Sequence, residues 1–195
     1  MARFEREVQL TSRLTHPNTI AICDYGRTPE GVFYYAMEYL PGPTLEQLVQ
    51  KNGPQVAARV VFILKQVCGS LSEAHGKGLI HRDIKAANVI LSERGGAHDV
   101  VKVVDFGLVK DIDNLQDANV SAANTIAGTP HYLSPEALSS PGDVGPRSDL
   151  YAVGVLGYFL LTGKHVFEAE SFVEVCAHHR LLRRNASRFL RISKN

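Results

Sequence analysis

The reading turns on His81-Arg82-Asp83-Ile84-Lys85-Ala86-Ala87-Asn88, which lies between a helical pattern closed by Gly76 and Gly78 and a short apolar run. Seventeen residues beyond Asn88 comes Asp105-Phe106-Gly107, at the end of a second strand-like run. Farther on stands Gly128-Thr129-Pro130-His131-Tyr132-Leu133-Ser134-Pro135-Glu136. In an extended loop, side chains two residues apart share one side. Lys85 is therefore expected beside Asp83, a carboxylate able to accept a proton. Asn88 and Asp105 offer oxygen ligands of the kind that hard cations such as Mg²⁺ take. Each piece alone has a plainer reading, because Asp and Asn at turns bond their own backbone. The five fixed positions of H-R-D-x-K-x-x-N lower the odds of chance to roughly one in twenty to the fifth power per start. Three such segments in order support one another.

Outward from this core, the pattern predicts a helix over 2–14, with Phe4, Val8, Leu10 and Leu14 on one side. Two strands, 19–25 and 32–40, are expected as a hairpin around Pro29 and Glu30-Gly31. Thr44 with Gln47 three residues on reads as a capping box opening a short helix. Residues 54–76 form the clearest helix, with Pro54 in its first turn and Val56, Val60, Ile63, Leu64, Val67, Leu71 and Ala74 as its apolar stripe. Strand-like pieces follow at 88–91 and 100–104. A long polar loop runs from 107 to 133, and further helices are expected near 147–162 and 170–179. The apolar run Leu150–Leu161 is too short to span a bilayer and reads as a buried helix.

The motifs resemble those of the eukaryotic-type serine/threonine protein kinases, in wording close to the bacterial members, over about residues 2–178. The resemblance implies an α+β, bilobal fold with a mostly helical larger lobe. Residues 1–40 correspond to part of the small lobe, 41–178 to the large lobe without its last helices, and 179–195 to a basic tail foreign to the family. It implies transfer of the ATP γ-phosphate to protein Ser or Thr hydroxyls, with ATP and Mg²⁺ as cofactors. Asp83 would be the base, Lys85 would neutralise the moving phosphate, and Asn88 and Asp105 would hold Mg²⁺. Phosphoryl transfer needs such positioning and charge more than covalent chemistry. Thr129 would bond near Asp83 and Lys85; with Lys85 it favours Ser/Thr over Tyr as acceptor. Glu7 resembles the helix glutamate that pairs with a strand lysine. Met37-Glu38-Tyr39-Leu40 resembles the hinge: Met37 beside the adenine, backbone groups of Glu38 and Leu40 on its edge, Ile90 beneath it. Arg82 before the base implies control by phosphorylation, with Thr125 as the modified residue and Arg82, Lys110 and Arg3 as the basic pocket that receives it. Asp149 resembles the aspartate that bonds the catalytic-loop backbone.

The resemblance also has gaps. Only six residues precede Glu7, so the Gly-rich loop and the ATP-clamping lysine have no place in this sequence. The expectation is a domain truncated at both ends, weak or inactive alone. A non-catalytic kinase-like binding module is the alternative.

Composition agrees with a globular chain: 45% of its 195 residues are hydrophobic and 21% charged, with net charge +1. That excludes disorder and a whole-chain polyanion binder. The balance hides a split, because Arg180, Arg183, Arg184, Arg188, Arg191 and Lys194 are all in the tail, and no acid is. Apart from Phe189, the tail lacks interleaved aromatics, so no nucleic-acid partner is expected. Three well-separated cysteines argue against a disulfide framework. With no leader-like opening and no membrane span, a cytoplasmic location is expected.

Overall fold

The structure, a computed structural model, describes residues 2–106 and 130–167, together with residues 174, 177 and 178. Helix α1 (Ala2–Thr11) ends three residues sooner than the apolar pattern suggests. The following turn is claimed by α3, where the Glu73 carboxylate accepts the backbone N–H groups of Thr15 and His16. Strands β1 (Ile22–Arg27) and β2 (Phe33–Met37) form the expected antiparallel hairpin, with Ile22 opposite Met37 and Arg27 opposite Phe33. The first strand starts later than residue 19 because residues 19–21 have other partners. Ile20 donates to the Val103 carbonyl at 3.0 Å, and Glu38 donates to that of Ala21 at 3.0 Å.

Helix α2 (Leu45–Asn52) opens on the capping box as read: Gln47 N–H donates to Thr44 Oγ1, and Thr44 N–H to Gln47 Oε1. Helix α3 (Ala57–Gly76) begins later than Pro54. Gln55 N–H is drawn off to the Leu160 carbonyl at 2.7 Å, and Val56 takes an extended cap conformation. Tertiary contact here overrides the proline signal. Val60, Ile63, Val67, Leu71 and Ala74 on α3 are all buried, as their three- and four-residue spacing requires.

Strands β3 (Val89–Arg94) and β4 (Ala97–Val103) pair with Val89 opposite Val103 and Arg94 opposite Ala97. Gly95 and Gly96 make the turn at φ 56° and 79°, angles that side chains disfavour. Helices α4 (Pro135–Ser139) and α5 (Pro146–Thr162) follow. The run Leu150–Leu161 lies within α5 and buries Ala152, Val153, Val155, Leu156, Phe159 and Leu160. Gly157 lets α3 and α5 approach closely, since a Cβ there would stand 2.9 Å from Leu64 Cδ1. Leu71 and Leu156 are 1% and 0% exposed in the shared core. Each such side chain contributes about 1.5–3 kcal/mol of burial. Among the described residues, no helix is long and apolar enough to cross a membrane.

The result is an α+β architecture with a helical body beneath two small hairpins. The β3–β4 hairpin packs on α3, and its open end carries the residues that matter below.

Candidate active site

A buried carboxylate organises the loop 81–88. Asp149, near the start of α5, is 1% exposed. Its Oδ1 accepts Arg82 N–H at 2.8 Å, and its Oδ2 accepts His81 N–H at 2.9 Å. His75 Nε2 lies 2.7 Å from the same Oδ2. A carboxylate withdrawn from water needs such partners, and here it also pins two consecutive peptides of the loop.

His81 completes the fastening from inside. It is fully buried, and its ring lies 4.5 Å from that of Phe106. Asp83 N–H donates to Nδ1 at 3.2 Å, so Nε2 carries the proton and donates to the Val104 carbonyl at 3.0 Å. Burial pushes the His81 pKa down, against the opposing pull of Asp149. The imidazole is thus a neutral spacer between the loop and the strand leading to Asp105.

With the backbone held, three side chains converge. Lys85 Nζ donates to Asp83 Oδ2 at 2.8 Å, which is the same-side placement read from the spacing. Asn88 Nδ2 donates to that oxygen at 2.9 Å and to the Asp83 carbonyl at 2.9 Å. Both amide hydrogens of Asn88 are then committed, which turns its Oδ1 into the acceptor end of the group. Val104 N–H donates to the Asn88 carbonyl at 3.0 Å, one step past the Val89–Val103 pair. Asn88 and Asp105 therefore leave the same end of the β3–β4 hairpin. Asp105 is exposed and has a positive φ of 59°.

This donor set fits Mg²⁺. Mg²⁺ takes one or two protein oxygens and completes its shell with water and phosphate oxygens. The Asn88 amide oxygen and the Asp105 carboxylate are such a pair. Among the described residues, no three His, Cys, Asp or Glu are gathered as for an all-protein metal cage.

The hinge-like residues are brought to the other side of the same hairpin. Met37 ends β2 and is exposed; Glu38 and Leu40 follow in the connection to α2. That connection lies on β3, where Leu91 N–H donates to the Pro43 carbonyl at 2.9 Å and Thr44 bridges Ile90. Beside Asp83, a partly open cleft is lined by Ile84, Tyr132, Leu133, Ala137 and Val144.

Arg3 and Glu7 lie on α1 by their backbone, but their side chains fall outside the described set. Lys110, Thr125 and Thr129 lie outside the described residues, as does the basic tail 179–195.

Sequence reasoning missed the side chain of Glu38. Its Oε1 accepts Lys102 Nζ at 2.6 Å and Ala21 N–H at 2.9 Å, and Oε2 pairs with Arg94. Burial alone would raise the Glu38 pKa, but the hydrogen bonds from Lys102 and Ala21, with the Lys102 and Arg94 charges, bring it below the usual range. The available signal was a lysine inside the apolar run Val100–Val104, since buried lysines are rare unless paired.

Comparison with known proteins accords with this geometry. The protein kinase domain profile matches residues 2–190. Serine/threonine-protein kinase pkn3 of Myxococcus xanthus is 43% identical over 180 residues, covering 92% of this chain and 33% of that protein. Serine/threonine-protein kinase PrkC of Bacillus subtilis is 36% identical over 177 residues, covering 91% and 26%. Serine/threonine-protein kinase PknL of Mycobacterium tuberculosis is 39% identical over 181 residues, covering 93% and 43%. The chain thus spans less than half the length of each of these relatives.

Proposed function

The chain belongs to the protein kinase domain family, and from that premise we propose that it carries the catalytic centre of a serine/threonine protein kinase. The reaction joins the hydroxyl oxygen of a protein Ser or Thr to the γ-phosphorus of ATP, releases ADP, and passes the hydroxyl proton to a base. Bound Mg²⁺ supplies charge neutralisation on the nucleotide phosphates.

The chain's own residues divide the remaining work. Asp83 orients the acceptor hydroxyl and takes its proton. Lys85, held 2.8 Å from Asp83, places a positive charge where the phosphoryl group crosses. Asn88 and Asp105 hold the metal from one end of the β3–β4 hairpin. Backbone groups of Glu38 and Leu40 hold the adenine, with Met37 beside it and Ile90 beneath it. The cleft beside Asp83 takes the acceptor polypeptide. Glu7, Thr129 and the pocket of Arg82, Lys110 and Arg3 around a phosphorylated Thr125 keep the roles the resemblance implies. Residues 1–40 act as small-lobe elements and residues 41–178 as the large lobe, and the site works in the cytoplasm.

The observation that carries this reading is the convergence of Lys85 and Asn88 on one oxygen of Asp83, in a loop fastened by Asp149. The test is transfer of label from γ-³²P-ATP to a Ser/Thr-containing protein acceptor by the whole protein that bears this segment. Transfer should require Mg²⁺ and disappear in Asp83→Asn, with ATP binding retained. Undiminished transfer in Asp83→Asn refutes the assignment. Mg²⁺-ATP binding with no Asp83-dependent transfer would mark a binding module instead.

A further inference from the structure

Lys102 is an unusual residue for its place. It sits on β4 in the run Val100–Val104, opposite Ile90, and is 3% exposed. Its ammonium has two partners: Glu38 Oε1 at 2.6 Å and the Thr19 carbonyl at 3.0 Å. An unpaired ammonium at that depth would be strongly disfavoured, so these partners fix where Glu38 stands.

The surrounding backbone makes the link rigid. Residues 18–21 run as a strap between β4 and the hinge-like connection. On one side, Val103 N–H donates to the Asn18 carbonyl at 2.8 Å and Ile20 N–H to the Val103 carbonyl at 3.0 Å. On the other side, Ala21 exchanges bonds with Glu38: Ala21 N–H to Oε1 at 2.9 Å, and Glu38 N–H to the Ala21 carbonyl at 3.0 Å. Arg94, at the far end of β3, closes over Glu38 Oε2. Three residues after Lys102, the same strand delivers Asp105.

Two sites that must stay in register therefore share one partly buried ion pair. Resting on the kinase reading above, we infer that Lys102 is a positioning residue: through Glu38 it sets the distance between the adenine-holding backbone and the metal-holding Asp105. A nucleotide grips both places at once, so the pair acts on ATP recognition and not on the acceptor hydroxyl. A link that only stabilised the fold would change the folded fraction but not the KM of the molecules that remain folded.

The experiment measures KM for ATP, KM for the protein acceptor and kcat in the whole protein, with the folded fraction counted by thermal melting. Lys102→Met should raise KM for ATP about tenfold, with kcat at saturating ATP and the acceptor KM each changed by no more than about twofold. Glu38→Gln keeps the shape and an acceptor oxygen, and serves if Lys102→Met does not fold. It should raise KM for ATP in the same direction. Where Lys102→Met folds, the double variant should be no worse than the poorer single, because the two residues act as one unit. A KM for ATP unchanged in every folded variant, or additive effects in the double, overturns the inference. Asp83→Asn is run alongside: its retained transfer would sink the kinase reading itself, whereas its inactivity, together with an unmoved KM for ATP in the folded Lys102 and Glu38 variants, would sink only the role of Lys102.

Discussion

Asp149 Oδ1 accepts the backbone N–H of Arg82 at 2.8 Å, and Arg82 is held at φ 66°. A non-glycine residue in that region costs about 1 kcal/mol or more, so an outside group has to hold it there. Asp149 is that group, and it bonds the His81 N–H as well. The strained step turns the chain so that Asp83 faces the cleft. Asp149→Ala should remove both bonds and orphan the buried His81 N–H and the partly buried Arg82 N–H, costing about 3 kcal/mol. Asp149→Asn keeps one acceptor and should cost less, while still releasing His81 or Arg82. Urea titration gives the stability, and label transfer should fall at least tenfold more than the loss of folded protein explains. An Asp149→Asn variant with full transfer would show that the loop holds its shape without this carboxylate.

Asn88 uses its two amide hydrogens on Asp83 and directs its oxygen elsewhere. Asn88→Ala should therefore have a double effect. The loss of two hydrogen bonds costs about 1–2 kcal/mol of stability. The loss of the proposed metal ligand should raise the Mg²⁺ concentration for half-maximal transfer by on the order of tenfold or more. A Mg²⁺ titration at fixed ATP separates the two, because a purely structural residue would lower the plateau without moving the midpoint.

The convergence of Lys85 and Asn88 on Asp83 was legible because it is local. Asp83, Lys85 and Asn88 lie within six residues, and loop geometry alone brings the first two together. Helix α3 and the Thr44 cap were legible for the same reason, through apolar spacing and a three-residue cap signal. What escaped depends on partners far along the chain. The Leu160 carbonyl takes Gln55 N–H and delays α3, and the claim of Glu73 on Thr15 and His16 helps end α1. Lys102 finds Glu38 across 64 residues. Charge pairs at that separation leave no periodicity to read; only the oddity of a lysine in an apolar strand marks one end.

Acid should expose two of these fastenings in different pH windows. His81 is buried and neutral, with its pKa below the ordinary 6.5. Unfolding lets it take a proton, so its contribution is full above about pH 6.5 and falls away as pH drops toward the lower folded value. Glu73 behaves likewise at lower pH. Burial works against its charge, but Lys77, the N–H groups of Thr15 and His16, and the Thr15 hydroxyl outweigh it and bring the pKa from 4.5 to about 2. Its stabilisation, screened by solvent at this partly exposed position, should persist to about pH 4.5 and be lost between there and about pH 2. Denaturation midpoints across these ranges should show two slopes. Glu73→Gln should flatten the lower one and leave the upper; a lower slope that survives the substitution would assign it to other carboxylates.

Gly42 links the hinge-like connection to β3 in a way no side chain allows. A Cβ there would fall on the Leu91 carbonyl and stand 3.4 Å from Ser92 Cα. Both obstacles are backbone of a paired strand, so neither can swing aside as a side chain would. The nearby bond from Leu91 N–H to the Pro43 carbonyl, 2.9 Å long, holds the two segments together and would have to lengthen or break. Gly42→Ala should cost about 1–3 kcal/mol, the range for overpacking. The displaced segment is the one that follows Glu38 and Leu40, so KM for ATP should rise while KM for the protein acceptor stays put. Gly142→Ala is the control: nothing lies within 4 Å of its Cβ position, and the change should stay within about 0.5 kcal/mol. Equal melting temperatures and equal KM for ATP in the two variants would show that the connection can lift off β3 freely, and that its contact there does not set the nucleotide site.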